Sequence, residues 1–528
     1  MRAMGHEVHL LCQEGAAGEL EWVDAVGEWE SDGWRVRETG VEPASGSASV
    51  YRPDIGGLLP VFVRDNYAGF EVKTFGELSD AELERYIELN VAAVRAVVER
   101  AGDPEAVLAN HLIMAPVILA RAGLRYALKV HGSDLSYTIL PDLDRFGPYA
   151  REAVAGANGI LVGSAHIAER LRAAVDDAET NAKVRLGPPG VDVDLFAPAG
   201  SREEGTERLR ALARVLRTPA APPQSPGSPT LVQLGPDATP NRTDVPDDAW
   251  SRDPAEAATA LEWFADAPGP RVLFVGKLIV SKGVDLLLAA WPLVHAQNPG
   301  ARLLIVGFGA YRDALERLND ALATGDLETA REIAAQGRAL EAAGTDPEPL
   351  PYLTRFFADP PPGYAETTSS TPDATAAATT STAFAGRLEH DEVADVLPAC
   401  DALVFPSTHP EAFGMVAAEA AAAGVLPVSA AHSGALEVSR ALAADLPAEA
   451  ADLVSFPLAG DPVSAIAERL NAWLALDTRA RERTRAALRD TTRRLWSWEG
   501  VASSVLAASQ GRLEDLASVP GGADGAGY

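Results

Sequence analysis

Four short apolar runs, VHLLC, AVLANH, YALKVHG and GILVGS, recur along the first part of the chain, and each stops at a small or polar residue. Longer stretches with helical spacing lie between them. In AELERYIELNVAAVRAVVERAG, Ala81 to Gly102, apolar residues return every three or four positions and the run closes on a glycine. Short buried strands that alternate with amphipathic helices pair in parallel, because a parallel connection must cross the sheet and that crossover is long enough to be a helix. The chain is therefore read as α/β.

The pattern begins again after a break. From about Ala197 the composition turns to Pro, Ala, Asp and Ser, most extremely in APPQSPGSPT, and such a stretch has too little apolar surface to offset the entropy of ordering it. Residues 197–270 are accordingly read as an extended interdomain insertion. RVLFVGKLIVSKGVDLLLAAWPLV then reads as strand, loop and helix, RLLIVGFG as a second strand and DALVFPS as a further buried one. A charged helical stretch and the low-complexity TTSSTPDATAAATTST interrupt this second unit at about 311–382. With 528 residues and 47% hydrophobic content, the chain is too long for one ordinary core. The expected organisation is a Rossmann-like first domain at 1–196, the insertion, a second domain at 271–480, a helix at 481–510 returning to the first domain, and a flexible tail at 511–528. The stretches Thr218 to Asp247 and Ala365 to Thr382 are expected to be dispensable for chemistry.

Charge and cysteine content narrow the function. Against 45 Lys and Arg stand 75 Asp and Glu, a formal net charge of -30, which argues against nucleic acid as a partner. Cys12 and Cys400 are the only cysteines, too few for a disulfide framework or a multi-thiolate zinc site and in keeping with a reducing compartment. The opening MRAMGHEVHLLCQ has no continuous apolar core of signal-peptide type. No run reaches the roughly eighteen apolar residues of a membrane span. The expected location is the cytoplasm.

Polar residues cluster where a doubly wound sheet holds its ligand, beyond the carboxyl ends of the strands. In the first domain these are Asn110 and His111, then His131, Ser133 and Asp134, then Ser164. In the second they are Gly276, Lys277, Lys282, Gly283, Gly307, Gly309 and the segment PEAFGMVAAE, Pro410 to Glu419. GKLIVSKG lacks the closing Gly-Lys-Ser/Thr of a Walker loop, and VGFGAYR has Arg312 where a dinucleotide fingerprint needs its third glycine. What remains is a pair of lysines flanked by glycines ahead of a helix, which suits a diphosphate; taken alone, the lysines read rather as solvated. A lone His131 is more often a packing or capping histidine. Glu411 and Glu419, taken locally, read as a helix entry and a solvated helix face.

Taken together, VLFVGKLIVSKGVDLLLAAW, LLIVGFG, FAGRLEHDEVADVLPACDALVFPSTHPEAFGMVAAEAAAAGVLPVSAAHSGALEV and LWSWEGVA resemble the retaining glycosyltransferases of family 4 (glycosyltransferase group 1), which have the GT-B fold. HGSDL, GILVGSAHIAERL and PPGVDVDLFAP resemble that family's first domain and crossover. The resemblance implies two Rossmann-like domains facing a cleft. It implies transfer of a hexose, with retention of configuration, from a nucleotide-diphosphate sugar of UDP, GDP or ADP type to a hydroxyl acceptor that is a sugar, a lipid or a small metabolite.

Residue roles follow from the same resemblance. Lys277 and Lys282 stabilise the leaving diphosphate, and Glu411 reads hydroxyls of the transferred sugar. Glu419 accepts hydrogen bonds from the ribose diol, for which a carboxylate has two oxygens. The backbone around Phe413, Gly414 and Met415 approaches sugar and phosphate, with Gly276 and Gly307 completing the donor side. His131 orients the sugar and stabilises the transition state. Asn110, His111, Ser133, Asp134 and Ser164 are acceptor-side candidates. The family usually has arginine at the position of Lys277, so the charge is kept and the planar fork lost. No cofactor or metal is obligatory, the nucleotide sugar being a co-substrate. The competing reading is a catalytically impaired nucleotide-sugar-binding or scaffold protein of the same fold.

Three other features bear on these expectations. Asp142-Leu-Asp144 and Asp192-Val-Asp194 have the DxD form that binds a divalent cation in another glycosyltransferase fold, and both are read as structural. RARERTRAALRDTTRRLW is locally basic, a surface helix with peripheral contact to an anionic lipid as its alternative. MRAMGHEVHLLC resembles the last turn of a first helix followed directly by the second strand of a doubly wound domain. The expectation is a first domain lacking its opening strand, with a true start upstream or a nonfunctional remnant.

Overall fold

The computed structural model describes residues 1–30, 33–41, 45–62, 69–218, 252–342, 344–368 and 381–520. They form two compact units, one built from described residues of 1–190 and 498–520, the other from those of 191–218 and 252–497. Most of Thr218 to Asp247 and Ala365 to Thr382 lies outside the described residues.

The first unit contains two four-stranded sheets. One runs in the order Glu7–Leu11, Ser47–Arg52, Ala25–Glu30, Gly33–Glu38; its first three strands are parallel and the last closes an antiparallel hairpin. Hydropathy does not reveal this hairpin, because aromatic rings on one face take the place of an aliphatic run. Trp34 stands edge-on to Trp29 at 4.8 Å and to Tyr51 at 5.0 Å. The other sheet is wholly parallel, in the order Val184–Leu186, Ala157–Val162, Tyr126–Val130, Leu108–Asn110. Glu7–Leu11 and Leu108–Asn110 are edge strands of their sheets, and each leaves a leucine exposed, Leu10 and Leu108. The helix Asp80–Ala101 starts in a reciprocal cap between Ser79 and Glu82 and buries Leu83, Ile87, Val91, Val94 and Val97.

The end of the chain departs from its expected organisation. Residues 481–510 are not one returning helix. Thr478–Trp496 belongs to the second unit, where Trp496 is buried, and only Trp498–Ser509 belongs to the first. There Val505 and Ala508 pack on Ala127 and Leu161. Nor is the following stretch free as far as residue 517, while 521–528 of the expected tail lie outside the described residues. The N–H of Leu186 donates to the carbonyl of Ala517 at 2.8 Å, and Arg185 Nε donates to that of Leu513 at 2.9 Å.

The second unit is built on one six-stranded sheet, ordered Thr382–Gly386, Arg302–Val306, Arg271–Val275, Ala402–Phe405, Leu426–Ala430, Ser455–Phe456, with every pair parallel. Numbered along the chain this is 3-2-1-4-5-6, the doubly wound order. Helices cover both faces, so Leu273, Leu304, Leu403 and Val428 are fully buried and the strands read as unbroken apolar runs.

Two segments set aside on composition are packed. Arg202–Arg217 and Pro254–Ala265, within the expected insertion at 197–270, are helices that bury Leu209, Leu212, Ala257, Leu261 and Phe264 in the main core. Averaging over the Pro-rich middle hid these amphipathic flanks; residues 219–251 lie outside the described ones. Within 311–382, Arg312–Thr324, Leu327–Gln336 and Pro351–Ala358 are helices whose Leu315, Leu318, Ile333, Leu353 and Phe357 join the same core.

Candidate functional site

In a doubly wound sheet the ligand lies where the strand order reverses, beyond the carboxyl ends. Here the reversal falls between Arg271–Val275 and Ala402–Phe405. The loops leaving these two strands carry Lys277, Lys282 and Glu411, and they are tied to each other. The carbonyl of Ser281 accepts from the N–H of Thr408 at 2.8 Å and from the Ser407 hydroxyl at 3.2 Å. Gly283, at φ 66°, is pressed so close that a Cβ would lie 2.0 Å from the carbonyl oxygen of Pro406. Only glycine meets both conditions. The approach brings Lys282 Nζ to 2.6 Å from Glu411 Oε1, with the two side chains 12% and 7% exposed. A pair this dry is expensive to assemble and persists because each ion neutralises the other.

The backbone of Glu411 is anchored as well. Its N–H donates to Ser433 Oγ at 2.8 Å, and its carbonyl accepts from the N–H of Gly434 at 2.9 Å. Ser433 takes a left-handed φ of 50°, and the neighbouring His432 donates through Nε2 to the carbonyl of Ser407 at 2.7 Å. The turn at 432–434 thus joins both ends of the loop that bears Glu411.

Gly276 and Gly307 end adjacent strands, and a Cβ on Gly307 would lie 1.9 Å from the carbonyl oxygen of Gly276. Lys277 follows directly and is half-buried. Gly414 precedes the helix Met415–Ala422, whose first N–H groups have no partner within the helix. The ring of Phe413 stands edge-on to Trp496 at 5.5 Å, so this side chain serves the core and only its backbone is left for a ligand. One turn into the helix, Glu419 is buried with Oε1 3.1 Å from His390 Nε2. That contact raises the His390 imidazole above its ordinary value against the opposing effect of burial. The ring of Phe196 stands edge-on to His390 at 5.0 Å.

In the first unit the polar residues also gather at strand ends, but around imidazoles. The Asn110 side-chain oxygen accepts from His131 Nε2 at 3.0 Å, and the His111 and His131 rings lie 4.8 Å apart. His111 has a left-handed φ of 67°, which turns the chain back after the strand Leu108–Asn110. Asp134 is fully buried and accepts from the N–H groups of Leu112 and Gly132, with His111 Nδ1 4.0 Å away. Burial, with His111 and Lys129 adding to it, pushes His131 down to about 3. Burial lowers His111 too, against the attraction of Asp134. Lys129 is pushed down to about 8. Ser133 is half-buried beside this group. Ser164, by contrast, is fully buried and caps the helix Ala165–Ala174 by accepting from the N–H of Ile167.

The two DxD triplets are engaged locally. Asp142 caps Leu143–Gly156, and Asp192 accepts from the N–H groups of Asp194 and Leu195. Among the described residues no group of three or more His, Cys, Asp or Glu is placed to hold a metal ion, and no helix is long and apolar enough to cross a membrane. Arginines of the basic helix pair with carboxylates of their own unit, Arg481 and Arg485 with Asp401, Arg483 with Glu449 and Arg494 with Asp445.

Sequence reasoning did not single out His390, His432, Ser433, Asp285 or Glu341. His390 lies 29 positions before Glu419 and becomes its neighbour only through the strand and helices between them. Asp285 directly follows the loop of Lys282 and looks like an ordinary first-turn acid, yet it is buried and pushed up to about 7.

Residues 269–342 and 374–488 each match a family described as Glycosyl transferases group 1. Over 169 residues the chain is 30% identical to a glycogen synthase of Mycobacterium tuberculosis; the match covers 31% of this chain and 28% of that protein, so the chain spans under a third of the curated relative. Among solved structures, sucrose-phosphate synthase from Thermosynechococcus elongatus aligns with a TM-score of 0.47 at 16% identity, covering 97% of this chain and 98% of the other. The Anabaena protein HepE in complex with UDP-glucose aligns with a TM-score of 0.49 at 13% identity, covering 97% and 100%.

Proposed function

We propose that this chain is a retaining hexosyltransferase of family 4 and GT-B type, moving a sugar from a nucleotide diphosphate to a hydroxyl acceptor in the cytoplasm. The observation that supports it most is the dry Lys282–Glu411 pair at the reversal point of a doubly wound sheet, beside the start of the helix Met415–Ala422. The matches over 269–342 and 374–488 fall on these same elements.

In this reading the diphosphate lies along 276–283 and against the first N–H groups of Met415–Ala422. The bond from the anomeric carbon to the diphosphate oxygen breaks as a new bond forms to the acceptor oxygen, the acceptor's hydroxyl proton passes to the departing diphosphate oxygen, and the charge left on the diphosphate is met by Lys277 and Lys282. Cations already fixed in a dry site stabilise such charge without reorganising. Glu411 balances Lys282 until the phosphate arrives, then accepts from hydroxyls of the transferred sugar. Glu419 takes the ribose diol. His131 orients the sugar as a neutral hydrogen-bonding group, since an imidazole held down to about 3 is a poor general base near neutrality. The acceptor is a sugar, a lipid or a small metabolite.

The test is a panel of UDP-, GDP- and ADP-sugars read by thermal shift, donor hydrolysis and transfer. One base is expected to raise the melting temperature and to support turnover. Binding without hydrolysis or transfer would favour the scaffold reading instead.

A further inference from the structure

We infer that Glu341, in the helical segment that interrupts the second unit, positions the loop carrying Lys277 and Lys282; the inference rests on the reading of that loop as the diphosphate cradle. The segment is integral to its unit, since Leu318, Ile333 and Phe357 are fully buried in the main core. After the helix Leu327–Gln336 it turns sharply. Gly337, at φ 51°, is so close to Glu348 that a Cβ would lie 2.0 Å from that residue's carbonyl oxygen, and the N–H of Arg338 donates to the same carbonyl at 3.1 Å. The short helical turn Arg338–Glu341 is thereby fixed, and Glu341 Oε1 accepts from the backbone N–H of Val280 at 2.7 Å.

Val280 opens the turn Val280–Lys282, and the first N–H of such a turn has no partner inside it. Glu341 supplies that partner. The loop is consequently gripped on two sides, at the N–H of Val280 by Glu341 and at the carbonyl of Ser281 by Ser407 and Thr408. These holds flank the peptide groups that lead into Lys282, so they set the direction from which its side chain departs. The ground beneath is not apolar filler: Asp285 and Tyr311 are both buried, with Asp285 Oδ1 and the Tyr311 hydroxyl lacking hydrogen-bond partners among the described residues. The charge of Glu341 opposes ionisation of Asp285.

The experiment uses the full chain and calorimetric titration with uridine, guanosine and adenosine and with UDP, GDP and ADP. The quantity read is the gain in affinity that the diphosphate adds to the best-bound nucleoside. Glu341→Ala should reduce that gain about tenfold, the scale of one hydrogen bond to a charged group, while leaving nucleoside affinity unchanged. Glu341→Gln keeps an acceptor oxygen and should restore most of it. Lys282→Ala should reduce the gain as well. A wild-type gain in Glu341→Ala beside a reduced gain in Lys282→Ala would overturn the role of Glu341 while the cradle stands. A wild-type gain in Lys282→Ala, or no diphosphate binding to the wild type, would overturn the cradle and this inference with it. Loss of nucleoside affinity in both Glu341 variants would show general disruption and also overturn it.

Discussion

In the second unit the polar residues at the strand ends are held in pairs, the ions Lys282 and Glu411 and the hydrogen-bonded His390 and Glu419. In the first they are imidazoles that burial keeps neutral, His111 and His131 4.8 Å apart near the fully buried Asp134. Under the proposed function, the difference matches what each group would meet. A diphosphate that gains charge calls for fixed cations, whereas sugar hydroxyls are read by neutral donors and acceptors without the cost of desolvating an ion. It also gives the two units opposite liabilities, because an ion pair fails when one partner is removed and a neutral imidazole fails when it is charged.

The largest expected effect comes from breaking the pair. Lys282→Met leaves Glu411 buried without a counter-ion, at a cost of about 3–5 kcal/mol of stability, and raises the barrier to transfer by about 2–4 kcal/mol. The double variant Lys282→Met/Glu411→Gln should recover most of the stability by denaturant titration and none of the turnover. Undiminished turnover at saturating donor in the single variant would remove Lys282 from the chemistry.

The contrast sharpens with pH. An unfolded chain protonates His131 below the ordinary value of 6.5, whereas the folded unit resists until about 3. Stability from this group is fully present above 6.5 and falls between 6.5 and 3, by up to about 1.4 kcal/mol per pH unit. Asp285 has the reverse sign. Burial raises it from 3.8 to about 7, so its contribution is fully present below 3.8 and is lost as pH rises through 7. Relative to wild type, His131→Gln should therefore gain stability on acidification and Asp285→Asn should gain it on approach to neutrality. Variant-minus-wild-type melting differences with the same slope would abolish the contrast.

The smallest effect is expected at the other pair. Glu419→Gln keeps one acceptor oxygen and should weaken nucleotide binding by about 1 kcal/mol, while the His390 titration followed by NMR moves back down toward 6.5. Unchanged affinity for free nucleotide would mean that Glu419 does not hold the ribose.

Much of this molecule is written locally. The runs around Leu273, Leu304 and Leu403 announce central parallel strands because both of their faces are covered, and the glycines at 276, 283 and 307 mark turns by their chemistry. Segments whose apolar face is aromatic, or that border a Pro-rich stretch, are less legible. The hairpin Ala25–Glu30 and Gly33–Glu38 is held by Trp29, Trp34 and Tyr51, and the helices Arg202–Arg217 and Pro254–Ala265 were masked by their Pro-rich connection. Position after strands makes Lys282, Glu411, Glu419 and His131 candidates, while their roles come from the resemblance, since local sequence alone reads each of them as structural or solvated. Which of these touch, and what else joins them, is another matter. His390 beside Glu419, Glu341 on the N–H of Val280, and the burial that shifts Asp285 and His131 in opposite directions all depend on residues far apart in the chain. Composition and periodicity carry the spacing of apolar groups along one strand or helix. Desolvation and pairing energies depend on everything packed within a few ångströms, and that neighbourhood exists only once the sheet has been assembled.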